Sequence, residues 1–353
     1  MIPNILRVRP LQQTMKDPAA TDDKYYVPAP ENQLVADPLL RTDISFPASD
    51  GLPIVGHLYR PAGATPTTVT PAVAVCGPIS AVKEEVVPHY AERLAAAGYT
   101  VVTFDPRGFG ASSGPKGLHK PERIIDDYHA AVRYLFSHDG VDNDRVAALG
   151  VCMGGGYAVS LGAREKRLKA VIAVAGGYNI GGTFLKLMGA EKLGEYQQTI
   201  SNLVDEHFGK DSRAVVPTVL ADGLDKDNPV AVMPNAEAAS FYLRKQKDVA
   251  PRWSNEFDAR SLEAYLAYNS IATAALVAPT PLMFIHGTTD LFLLPEFAEA
   301  AYEAYPAADG AKEFVWVETH NHIELYDQAP YVPQAVEHAV RWLDTYCTQE
   351  ADA

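Results

Sequence analysis

The sequence predicts an α/β fold: a mostly parallel central sheet with helices on both faces. Short apolar runs such as "PAVAVCG", "TVVTFD" and "LKAVIAVAG" read as strands buried on both faces. Segments with helical spacing alternate with them, and strand–helix alternation builds a parallel sheet. The alternation stops near residue 179 and resumes near 275. A stretch of that length between sheet strands predicts a functional insertion and not a plain loop.

Taken in order, residues 1–41 are rich in Pro, Asp and Gln with little periodicity, and predict an N-terminal arm that lies over the body or is partly disordered. "TDISFPASDGLPIVGHLYRPAG" alternates around a turn at "SDG", the pattern of an antiparallel hairpin. From Pro71 the buried strands begin. "EVVPHYAERLAAAGY" is a helix stopped by Gly98, "PERIIDDYHAAVRYLFSH" a second, and the strand "RVAALGV" runs straight into the helix "CMGGGYAVSLGA". The insertion, residues 179–274, is helical but irregular, with breaks at Gly181-Gly182, Pro217 and Pro229. The sheet resumes with "TPLMFIHG" and "KEFVWVE", and "YVPQAVEHAVRWLDTYC" is the last helix. The expected organisation is therefore an arm (1–41), a core (42–178 and 275–353) and a helical cap (179–274).

Composition narrows the function. The 353 residues are 47% hydrophobic and 21% charged, which excludes a disordered chain. A formal net charge of −14 repels phosphate backbones, so neither nucleic acid nor an anionic membrane surface is the expected partner. The 3 cysteines supply no disulfide framework and no zinc motif. The first residues lack the apolar run of a signal peptide, and no stretch is long enough for a membrane helix. The expectation is a cytoplasmic protein with a small-molecule partner, no metal and no cofactor, with a homodimer left open.

Chemistry concentrates in "GVCMGGG", residues 150–156. A strand that turns sharply into a helix holds its turn residue in a strained conformation and projects that side chain above the sheet. Small residues must flank it. Gly150 and Gly154 stand two residues either side of Cys152, and Gly155 and Gly156 let the helix pack closely. The pattern is G-x-S-x-G with Cys for Ser, and a helix N-terminus favours the thiolate. The competing reading is a buried cysteine in a glycine-rich junction. A dinucleotide fingerprint needs G-x-G-x-x-G, which is absent.

An acid and a histidine follow in the chain order that such a nucleophile requires. Asp290 comes just after the strand "PLMFIHG", and His320 and His322 come after "KEFVWVE". Each lies beyond the carboxyl end of its strand, so the loops open on the same sheet edge as Cys152. The ordered set is far more specific than any one member. The His-Asn-His pair is a weak metal signal, because residues two apart point to opposite sides of an extended chain.

On these residues the sequence resembles the α/β-hydrolase superfamily over roughly residues 42–345. "GVCMGGG" resembles the cysteine elbow of dienelactone hydrolases. "GPISAVKEE", "FDPRGFGASSG", "APTPLMFIHGTTD" and "HIELYD" resemble the loops of the dienelactone-hydrolase-like and polyketide-transferase-like group, which carries a helical insertion before its acid strand. The resemblance implies His322 as the base, with His320 a loop residue or a partner that supports the base. It implies an oxyanion pocket formed by the amides of Met153 and Ile79. Here Gly77-Pro78 stands for the group's His-Pro, and Ile79-Ser80 for its apolar-Gly pair. Lys83 and Glu84 match the group's "KE" and are expected to form a solvated or structural salt bridge.

The expected reaction is attack of the Cys152 thiolate on an activated acyl group, an ester, lactone or thioester, giving an acyl-cysteine that water resolves. The alternatives are passage of the acyl group to another nucleophile, as in an acyltransferase or cyclase, and a non-catalytic binding protein that keeps the fold. Among the insertion's aromatics, Phe184, Tyr242 and Trp253 are expected to line the substrate pocket.

Overall fold

The apolar runs form one sheet because each strand must bury both faces. The structure is a computed structural model that describes residues 40–306 and 310–347. The expected N-terminal arm, apart from its last two residues, lies outside the described residues. Eight strands make the main sheet: β1 (Leu40–Pro47), β2 (Pro53–Arg60), β3 (Thr70–Cys76), β4 (Thr100–Phe104), β5 (Val141–Val151), β6 (Ala170–Val174), β9 (Leu282–Gly287) and β10 (Lys312–Val317). Their order is β1-β2-β4-β3-β5-β6-β9-β10. β1 and β2 pair antiparallel, as do β2 and β4, and the other pairs are parallel. β4, β6 and β9 are buried at every residue, as strands covered on both faces must be.

The helices cover the two faces. α1 (Val87–Ala96) packs with the last helix, α11 (Tyr331–Cys347), while α2 (Pro121–Phe136) packs with α3 (Met153–Gly162). α9 (Pro295–Ala304) lies against β9, and the short α10 (Glu324–Asp327) follows β10. Between β6 and its parallel neighbour β9 the chain runs through α4 (Ile180–Met188), α5 (Ala190–Asp205), α6 (Ala236–Asp248), α7 (Arg260–Leu266) and α8 (Ile271–Ala274), with a small ribbon of β7 (Val215–Val216) and β8 (Phe257–Asp258). None of the described helices is long and apolar enough to cross a membrane. The architecture is the α/β-hydrolase fold, and its parallel strands all deliver their carboxyl ends to one edge.

Candidate active site

The turn after β5 is tight for a steric reason. Cys152 has φ 59° and ψ −126°, a conformation unfavourable to any residue with a Cβ. Its amide donates to the Val174 carbonyl (2.9 Å), and its carbonyl accepts from the amides of Gly155 (2.8 Å) and Gly177 (3.1 Å). The end of β6 thus clamps the strained residue. A Cβ at Gly150 would collide with the carbonyl of Gly154, and one at Gly154 with the carbonyl of Cys76. Both glycines are needed for β5, β3 and α3 to meet. Met153 opens α3, and its amide therefore has no intrahelical acceptor.

Asp290 and His322 converge across the loops after β9 and β10. Oδ2 of Asp290 lies 2.6 Å from Nδ1 of His322, and both side chains are buried. The other oxygen, Oδ1, accepts the amides of Phe292 (2.9 Å) and Leu293 (2.8 Å), which fixes the carboxylate. Burial pushes the Asp290 carboxyl up, but His322 and these hydrogen bonds outweigh it and hold it below its ordinary value. Burial likewise pulls His322 down, while Asp290 and then Cys152 push it well above the ordinary imidazole value. His286 backs the pair: its Nε2 donates to the Leu293 carbonyl (2.8 Å) and lies 3.6 Å from Asp290 Oδ2. His320 is elsewhere, largely exposed and bound to Glu324 (3.2 Å).

Ile79 sits in the loop after β3, where the amide of Ala81 donates to the Pro78 carbonyl (3.3 Å) and Ser80 has φ 60°. Ser80 thus holds the left-handed conformation that glycine adopts without strain, at the position where the resemblance leads one to expect glycine. Lys83 anchors the loop from below. Its Nζ lies 2.6 Å from Glu84 and 2.9 Å from Asp105, and Lys83 and Asp105 are both buried.

A cavity of about 660 Å³ opens over these groups. Cys152, His322 and Ile79 line it from the sheet side, and Phe184, Leu187 and Met233 from the insertion. Its wall is mostly apolar. Tyr242 and Trp253, expected to line the substrate pocket, do not border this cavity. They stack on each other (ring centroids 5.2 Å apart) and are buried. Tyr242 turns its hydroxyl inward to donate to the Ile79 carbonyl (3.1 Å). Trp253 borders instead a separate cavity of about 140 Å³ with Ser80 and Phe109.

Two residues of the cavity wall had no role in the sequence reading. Tyr326 places its hydroxyl 3.2 Å from Nε2 of His322. Its position in "HIELYD", one helical turn beyond the histidine, was the available signal. Glu237, in the first turn of α6, accepts the amide of Ile323 (3.1 Å), and burial pushes its carboxyl up. Nothing in the sequence around Glu237 marks it. Among the described residues, no group of three or more His, Cys, Asp or Glu side chains is placed to hold a metal ion.

Comparison with known proteins agrees with the fold. The thiohydrolase aneE of Aspergillus aculeatus is 28% identical over 292 residues, covering 80% of this chain and 86% of its own. The polyketide transferase af380 of Aspergillus fumigatus is 26% identical over 289 residues, covering 81% and 91%. The structure of DcsB in complex with its substrate analogue superposes with a TM-score of 0.75 at 22% identity over 87% of this chain and 99% of that one. The chain is an enzyme of the hydrolase or acyltransferase type. The family described as serine aminopeptidase, S33, matches residues 83–328, from the Lys83 loop through the histidine loop. This chain belongs to that family of α/β-hydrolases.

Proposed function

We propose that the enzyme cleaves an activated acyl bond, an ester, lactone or thioester, through a Cys152–His322–Asp290 triad and an acyl-cysteine intermediate. The observation that carries this is the 2.6 Å Asp290–His322 pair beside a cysteine held at φ 59°, both opening on one cavity. Asp290 fixes the Nδ1–H tautomer and favours the imidazolium. His322 takes the thiol proton, and the Cys152 sulfur attacks the acyl carbon. The carbonyl π pair moves to oxygen, and the Met153 and Ile79 N–H groups donate hydrogen bonds to the resulting oxyanion. Collapse expels the leaving group, which takes the proton from His322. Water, deprotonated by His322, then displaces the sulfur and returns the enzyme.

Residues 179–274 act as the cap over this site and give the substrate its shape. A second reading is transfer of the acyl group to an alcohol, amine or carbanion. The mostly apolar 660 Å³ cavity favours it, since there is room for an acceptor besides the acyl chain.

The test is intact-mass analysis after mixing with an activated thioester. The parent should gain one acyl group on Cys152, and Cys152→Ala none. Acylation that persists in Cys152→Ala would remove the reading. His322→Ala should lower turnover by roughly four powers of ten. His320→Ala should stay within about threefold, since that ring is mostly in solvent.

A further inference from the structure

Nε2 of His322 faces more than the cysteine. Tyr326 Oη lies 3.2 Å from it. The Tyr326 side chain is buried, yet it borders the cavity together with Cys152 and His322. Its ring stands edge-on to His322 and to Phe241, each with centroids 5.0 Å apart. The backbone is equally fixed: the Tyr326 amide donates to Ile323 (2.8 Å), and Tyr90 Oη donates to the Leu325 carbonyl (2.6 Å). A phenol held this rigidly beside a reacting pair is placed for more than packing.

We propose that Tyr326 is a catalytic residue whose hydroxyl donates a hydrogen bond to the Cys152 sulfur and stabilises its thiolate. The inference rests on Cys152 being the nucleophile. Burial, reinforced by the neighbouring Cys152, pushes the phenol well above its ordinary value, so Tyr326 keeps its proton and is a donor throughout. In the ion pair, His322 Nε2–H and Tyr326 O–H both point to the sulfur. No proton leaves the phenol at any step. When the C–S bond forms, the sulfur loses its charge and the Tyr326 bond weakens. When water displaces the sulfur, the charge and the bond return, so the phenol makes the thiolate a better leaving group in deacylation.

Tyr326→Phe keeps the ring and removes only the donor. The measurement is the pH dependence of Cys152 alkylation by iodoacetamide, read by peptide mass so that Cys76 and Cys347 are counted apart. The midpoint for Cys152 should rise by about one pH unit in Tyr326→Phe, a tenfold change in thiol ionisation. Deacylation of a preformed acyl-enzyme should slow in step. A midpoint that does not move in a folded Tyr326→Phe protein overturns the proposal. If that variant does not fold, 2,3-difluorotyrosine at position 326 keeps ring and hydroxyl and makes a stronger donor. The midpoint should then fall, and an unmoved midpoint again overturns the proposal. Failure of the parent to alkylate at Cys152 would instead remove the nucleophile reading on which both stand.

Discussion

The two halves of the insertion do different work. The first, α4 and α5, presents Phe184, Leu187 and Met188 to the cavity, and Leu187 is still 38% exposed. The second, around α6, also borders the cavity, through Met233 and Glu237, but its inner face is buried and tied to the loops of the site. Tyr242 binds the Ile79 carbonyl, Glu237 binds the Ile323 amide, and Arg244 and Lys245 both reach Asp327. One half offers partly exposed apolar surface to the cavity. The other half makes hydrogen bonds and ion pairs with the same loops that carry Ile79 and His322, so moving it moves the site. If residues 179–274 are the cap proposed above, recognition and support would fall on different parts of one segment of chain.

Trp253→Ala should produce the largest effect on this contrast. Trp253 is 2% exposed and stacks on Tyr242, so truncation leaves a cavity behind the Ile79 loop. The cost should be about 3–5 kcal/mol of unfolding free energy. Turnover should fall on every acyl substrate by a similar factor if, as proposed, the Ile79 amide is an oxyanion donor whose placement is lost. Denaturant unfolding and a chain-length series of thioesters check this. A change confined to some chain lengths, with stability intact, would place Trp253 in recognition after all.

Lys245→Met comes next. Lys245 Nζ lies 2.8 Å from Asp327 Oδ2, and both residues are buried, whereas Arg244, 3.0 Å away, is partly in solvent. Burial pushes the Asp327 carboxyl up, but Lys245 and Arg244 together hold it below its ordinary value. A carboxyl lowered on folding stabilises the protein above its unfolded value and loses that contribution as pH falls through the folded one. Removing the lysine should cost about 3 kcal/mol at neutral pH. The deficit should shrink on acidification below roughly pH 4, where protonated Asp327 no longer needs a cation. A deficit that stays constant with pH would assign the loss to packing.

How legible this was in the sequence follows from the same contrast. The strands were readable because β6 is apolar at every position and β4 and β9 at most of theirs, as strands buried on both faces are. The turn at Cys152 was readable because glycine is demanded at fixed offsets by backbone collisions. Asp290 and His322 were readable from their order after strands. The insertion gave no such signal. Phe184 and Tyr242 are both aromatic residues on helical segments, and neither local spacing nor composition tells which faces a cavity. That depends on contacts such as Tyr242 with Ile79, 163 residues apart in sequence. Glu237 was invisible for the same reason: its partner, the Ile323 amide, belongs to a loop 86 residues away.

Phe184→Ala should have the smallest effect on stability and the most selective effect on activity. Phe184 is only partly buried, and it meets Tyr196 and Tyr265 at centroid distances of 5.8 and 6.2 Å. Losing the ring should cost about 1–2 kcal/mol, less than the 3–5 kcal/mol of a fully buried phenylalanine, because part of its surface already faces open space. The ring borders the same cavity as Cys152, so its removal lengthens the room available to an acyl chain. A methylene in an apolar pocket is worth about 1–3 kcal/mol in kcat/KM, so the preferred chain length should move upward with at least a tenfold change in the long-to-short ratio. The Cys152 alkylation rate should not change, since none of the hydrogen bonds at Asp290, His322 or Ile79 involves Phe184. An equal loss on every chain length, together with slowed alkylation, would put Phe184 among the supports and erase the difference between the two halves of the cap.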